Sequence, residues 1–218
     1  MRLPNQTAGF GQRVAYGRYV AAQLKRAKKA ELAAAVDAAT AEVKAAGRAV
    51  EDAKEPIQEA LAMRDGTDGE LDDECQDARL SLASRGVEAM RKAPYTQVFP
   101  DGADYYLAAP LGEIAKRYRE LAQRLETNLP AGDALRARAP VFMGGAEAYE
   151  IASKQVDAAR TALGMARTRR DAVVDDWCAL MERTYGALVA EMDRKRADRF
   201  FPKARAKAAA DEPESAED

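Results

Sequence analysis

Over residues 32–60 an apolar side chain recurs every three or four positions: Leu32, Val36, Ala39, Val43, Ala46, Val50, Ala53, Ile57 and Ala60. An α-helix takes about 3.6 residues per turn, so this spacing draws one stripe along one face of a helix. A strand would need strict alternation, which the stretch lacks. The stripe also alternates larger residues with alanines, and small residues let a neighbouring helix approach closely. The same alternation returns at Tyr149, Ala152, Val156, Ala159, Leu163 and Ala166. It then widens through Val173, Val174, Trp177, Leu180, Met181, Tyr185, Leu188, Val189 and Met192, which is too broad for a seam with one partner.

Stripes and punctuation together predict four main helices, at about 12–64, 67–92, 111–128 and 146–199. Pro56 lacks a backbone donor and predicts a kink near Lys54 and Glu55. Pro94 closes the second helix, Leu129-Pro130-Ala131-Gly132 the third, and Phe200-Phe201-Pro202 the fourth. The third carries Leu111, Ile114, Ala115, Tyr118, Leu121, Ala122 and Leu125 on one face. The expected fold is all-α: an elongated antiparallel helical bundle with two long coiled-coil-like helices and two shorter ones. It forms a single domain over 1–203, followed by a disordered charged tail at 204–218. The long helices would reach roughly 75 Å, about twice their companions. Their overhang would place Val14, Tyr16, Tyr19, Val20 and Leu24 near Trp177, Met181, Tyr185 and Leu188 with incomplete cover. Exposed apolar surface of that kind predicts a homodimer or the docking of another helical protein.

Residues 65–74, DGTDGELDDE, are the densest acidic stretch between the two long helices. Thr67 and Glu70 fit a capping box, with Asp72, Asp73 and Glu74 in the early turns where the helix dipole favours carboxylates. A calcium loop starting at Asp65 would need glycine at its sixth position, which is Glu70. The capped turn is therefore the reading adopted, and no metal site or cofactor is expected.

Histidine is absent from all 218 residues. That removes the commonest general acid–base and the commonest metal ligand, and with them the hydrolase types that depend on it. Two cysteines, Cys75 and Cys178, do not make a disulfide scaffold and suit a reducing compartment. The first residues, MRLPNQTAGFGQRVAYG, lack the apolar core of a secretory signal, and no stretch reaches the length needed to span a membrane. A soluble, cytoplasmic protein is expected. A net charge of -2 gives no global steering towards polyanions.

Two groups of residues stand out. Aromatics make up only 6% of the chain, yet Tyr95, Phe99, Tyr105 and Tyr106 cluster in one Pro- and Gly-rich segment. Such a cluster is either a recognition loop or a hydrophobic plug, and aromatics are more often buried than displayed. With Trp177, Tyr185, Phe200 and Phe201 they are the candidate partner-binding residues. Basic runs form the second group: Lys25, Arg26, Lys28 and Lys29; Arg167, Arg169 and Arg170; and Arg194, Lys195, Arg196, Arg199, Lys203, Arg205 and Lys207. Charged helix faces are usually no more than solvated surface, but the last run has the make-up of a phosphate-contacting one. The function expected from sequence is a non-enzymatic structural or adaptor protein acting through self-assembly or partner binding. The alternative is a nucleic-acid-binding protein using the basic C-terminal helix end.

Overall fold

The structure, a computed structural model, describes residues 3–4 and 8–202, and all of its regular secondary structure is helical. The helices are α1 (Phe10–Arg26), α2 (Ala30–Asp52), α3 (Glu55–Ala83), α4 (Tyr95–Val98), α5 (Asp104–Leu107), α6 (Ile114–Asn128), α7 (Ala139–Glu191) and α8 (Arg194–Ala197), with short 3-10 turns among them. Residues gather into two compact units, Met1–Asp52 with Gly164–Asp218, and Ala53–Leu163. Each has its own core.

In the first unit, α1 and α2 replace the opening part of the single helix expected over 12–64. The chain turns at Ala27–Lys29, with Lys28 in the left-handed region at φ 60. The Lys29 amide closes the turn on the Leu24 carbonyl at 2.9 Å. No glycine or proline marks this reversal. What the sequence does show there is a polar run from Lys25 to Lys29, with nothing large and apolar to continue the stripe. Turning back lets Val20 and Leu24 bury against Val36 and Val43, each fully shielded. Burial of one such side chain is worth about 1.5–3 kcal/mol, which outweighs the cost of one left-handed lysine. The return is antiparallel: Phe10 meets Gly47, Gly17 meets Thr40, and Lys25 pairs with Asp37. A Cβ added at Gly17 would stand 2.1 Å from Thr40 Oγ1, so only glycine permits this approach.

The later half of α7 completes this unit. Trp177, Met181 and Leu188 lie in the same core, and Trp177 Nε1 donates to Thr40 Oγ1 at 3.2 Å. The apolar residues expected to sit uncovered beside Trp177 do lie near it, but they are not exposed. Val14, Tyr16, Val20 and Leu24 are buried, and only Tyr19 remains 43% exposed. The unexpected return of α2 supplies the cover.

In the second unit, Pro56 stands in the first turn of α3. Its effect is to separate α2 from α3 at Ala53–Lys54, rather than to kink one helix. The expected turn at Asp65–Gly66 and the Thr67 cap are both overturned, because α3 runs unbroken through DGTDGELDDE. Thr67 instead donates its hydroxyl back to the Met63 carbonyl at 2.9 Å, as a mid-helix threonine does. Leu71, Cys75, Ala78 and Leu82 keep helical spacing and all enter the core, and Ala60 lies three turns before Leu71 on the same face. Gly66 and Gly69 have open space where a side chain would be, so they weaken the helix without creating a turn.

The second helix therefore ends at Ala83 rather than at residue 92. Helix α6 occupies most of the expected third helix. Helix α7 starts seven residues earlier than expected, with Pro140 in its first turn, where a missing donor costs nothing. Gly145 then lets Leu71 pack against the α7 backbone, 2.6 Å from where a Cβ would be. At its far end α7 stops at Glu191, and the expected run to 199 is broken by Asp193. The Asp193 side chain caps α8 by accepting from the Arg196 amide at 3.0 Å. The expected tail at 204–218 lies outside the described residues.

Candidate functional site

Most of the aromatic candidates are taken up by the two cores. In the second unit the rings form a chain: Tyr95 to Phe99 at 5.5 Å, Phe99 to Tyr106 at 5.6 Å, Tyr106 to Tyr118 at 6.3 Å, and Tyr118 stacked on Phe142 at 6.0 Å. The segment before α6 is thus a plug, with Tyr95 on α4, Phe99 just past its end, and Tyr105 and Tyr106 side by side on α5. Its hydroxyls are satisfied inside: Tyr106 donates to the Val98 carbonyl at 3.2 Å and accepts from Arg124 at 2.7 Å, and Tyr118 donates to Asp72. Burial pushes the Tyr106 hydroxyl up to about 12, and burial with the Asp72 bond holds Tyr118 well above the ordinary range. Tyr105 alone of the four keeps partial exposure. Its ring lies under the Arg117 guanidinium at 4.2 Å, and its hydroxyl donates to Glu120 at 3.0 Å.

In the first unit Trp177 and Phe201 are buried, while Tyr185 and Phe200 are half-buried. Tyr16 meets Trp177 edge-on at 5.9 Å, and Phe201 meets Tyr185 at 5.5 Å. Among the eight aromatic candidates, Tyr105, Tyr185 and Phe200 are therefore the ones that still offer surface.

Neither thiol is activated. Burial pushes the Cys75 thiol up to about 12 and raises that of Cys178, the opposite of what a nucleophilic cysteine needs. The two lie in different units. Among the described residues, no group of three or more Cys, Asp or Glu side chains is gathered closely enough to hold a metal ion.

The basic residues are placed differently. Arg194, Lys195, Arg196 and Arg199 lie on α8 and the turn Asp198–Phe200, and all are exposed. The fold brings the end of α1 to the same place. Gln23, Arg26 and Ala27 line a depression of about 390 Å³ together with Met192, Arg196, Arg199 and Phe200. Asp193 approaches Arg196 at 3.4 Å, while nearby Lys29 and Lys25 are engaged with Glu191 and Asp37 respectively. Sequence reasoning placed Arg26 and Arg196 in separate runs, more than 160 residues apart, and did not single out Gln23 or Met192. The runs come together because the end of α1 packs against the turn Asp198–Phe200, a contact that neither run announces in its own sequence. Lys203, Arg205 and Lys207 lie outside the described residues.

Among the described residues no helix is long and apolar enough to cross a membrane. No known protein family matches the chain, and neither the curated proteins nor the solved structures include a significant match.

Proposed function

We propose that this chain is a non-enzymatic helical scaffold or adaptor, in which long helices pack as an antiparallel bundle and bind a second copy or another helical protein through their outer faces. The observation that carries this reading is the set of large apolar side chains left outside the cores. On α3 and α7, Met63 is 61% exposed, Leu80 55%, Met143 45% and Ile151 52%. Ile151 points away from the face that buries Phe142, Ala146, Tyr149 and Ala152. Water is a poor solvent for such groups, and a partner helix would remove them from it. The basal chemistry fits as well, since the polar aromatics and thiols serve packing.

Light scattering coupled to size exclusion tests the reading. The 23.7 kDa chain is expected to show a mass that rises with concentration, and M143E/I151E to abolish the rise. A constant monomer mass up to high micromolar concentration would remove the homodimer form of the proposal.

A second reading, nucleic-acid binding through the basic end, is favoured by one observation: Arg194, Lys195, Arg196 and Arg199 stay exposed within six residues. Phosphate contacts by such side chains are salt-dependent and tolerant of sequence. A gel shift at low salt with a mixed-sequence oligonucleotide checks it.

A further inference from the structure

The geometry points to a phosphate-binding site in the depression bounded by Arg26, Arg196 and Arg199. This deepens the nucleic-acid reading and rests on the same basic end, but adds a residue from a different element. Arg26 comes from the last turn of α1, while Arg196 and Arg199 come from α8 and the turn that follows it. Three guanidiniums therefore face one concavity of about 390 Å³, from two directions.

The local balance of charge is what distinguishes this place from an ordinary solvated face. Neighbouring Lys25 and Lys29 each have a carboxylate partner, Asp37 and Glu191. Of the arginines that line the depression, Arg196 is ion-paired, with Asp193 at 3.4 Å, and both partners are exposed. That carboxylate also caps α8 through its other oxygen, so it is shared. Among the described residues the other nearby carboxylates are engaged, Glu191 with Lys29 and Asp198 with the Tyr185 hydroxyl at 3.0 Å, which leaves an excess of positive charge where the arginines converge, and concave surfaces concentrate the field. Guanidinium is also the side chain whose paired donors match phosphate oxygens two at a time. Gln23 adds a neutral donor, and the half-buried Phe200 gives a flat apolar wall to the same depression.

The shared chemistry is a phosphate group carrying at least one negative charge. Its source is either a small free phosphate or the backbone of a nucleic acid. Two probes separate them on the full-length chain: inorganic pyrophosphate by isothermal titration, and a fluorescein-labelled oligothymidylate by anisotropy, both at low salt. The variants are Arg26→Gln alone and the triple R26Q/R196Q/R199Q, with R167Q/R169Q on the exposed middle of α7 as the control for lost charge. All the replaced side chains are solvent-exposed, and circular dichroism verifies that helicity is kept.

The expected result is that the triple variant weakens binding at least about tenfold and lowers the salt slope by about one per arginine, while the control changes it far less. Pyrophosphate binding that depends on the three arginines upholds the site even if the oligonucleotide fails, and the nucleic-acid reading then falls alone. Oligonucleotide binding that depends on Arg26 upholds both. Oligonucleotide binding indifferent to Arg26→Gln, or weakened equally by the control, overturns the site and leaves the nucleic-acid reading standing. If neither probe binds, both are overturned.

Discussion

Gly17 and Thr40 show how far single atoms decide this fold. The glycine has no unusual backbone angle; its role is to make room, with the Thr40 hydroxyl occupying the position of its missing Cβ. The same hydroxyl receives the Trp177 indole N–H. Gly17→Ala should therefore push Thr40 away from Trp177 and destabilise the chain by about 1–3 kcal/mol, seen as a lower urea midpoint with unchanged slope. A neutral result would mean that α1 and α2 do not approach as closely as described. Electrostatics at residue scale is clearest at Asp133. Arg85 donates to both of its carboxylate oxygens, at 2.5 and 2.8 Å, and holds the carboxyl below the usual range. A depressed carboxyl stabilises the folded chain above the unfolded aspartate value of about 4, and the benefit disappears as pH falls through the folded value. Asp133→Asn should thus cost about 1 kcal/mol at pH 7, discounted for solvent screening, and progressively less at an acidic pH that protonates the folded carboxyl. Urea titrations of both proteins at the two pH values check it.

At the scale of elements, the helices were legible wherever burial and periodicity agreed. The stripe from Leu32 to Val50 is the buried or half-buried face of α2, and α6 buries Ile114, Ala115, Tyr118, Leu121, Ala122 and Leu125, whereas Leu111, marked on the same face, precedes the helix and is 59% exposed. Failures came where local chemistry and packing disagreed. Asp65-Gly66-Thr67-Asp68-Gly69-Glu70 has every mark of a turn and cap, yet α3 passes through it because Leu71 and Cys75 need the register set by Ala60. The converse holds at Lys28, where a reversal has no turn residue to announce it. The basic depression was invisible for a related reason, since its two halves meet only through the packing of α1 against the turn Asp198–Phe200. The acidic stretch gives a decisive test. In a helix with open space at Gly66 and Gly69, alanine at either position should stabilise by about 0.5–1 kcal/mol. Thr67→Ala should be nearly neutral, whereas loss of a true N-cap would cost about 1 kcal/mol. Thermal melts of the three variants distinguish the two, and a marked loss in Thr67→Ala would restore the capped turn.

For the whole molecule, the important fact is that one chain maintains two cores while a single helix, α7, contributes to both. The only tryptophan is fully buried in the first core, and far-ultraviolet ellipticity reports helices of both. Each unit can thus be perturbed and read separately. Leu121 is fully buried in the second core, so Leu121→Ala should remove about 2–5 kcal/mol from that unit. If the cores are energetically distinct, ellipticity in this variant should begin to fall at a urea concentration where Trp177 fluorescence is still native. Leu24→Ala, in the first core, should let Trp177 fluorescence complete its change while part of the ellipticity, from the second unit, is still native. Coincident transitions in both variants would instead mean that α7 transmits unfolding along its length, and that the two cores act as one cooperative unit.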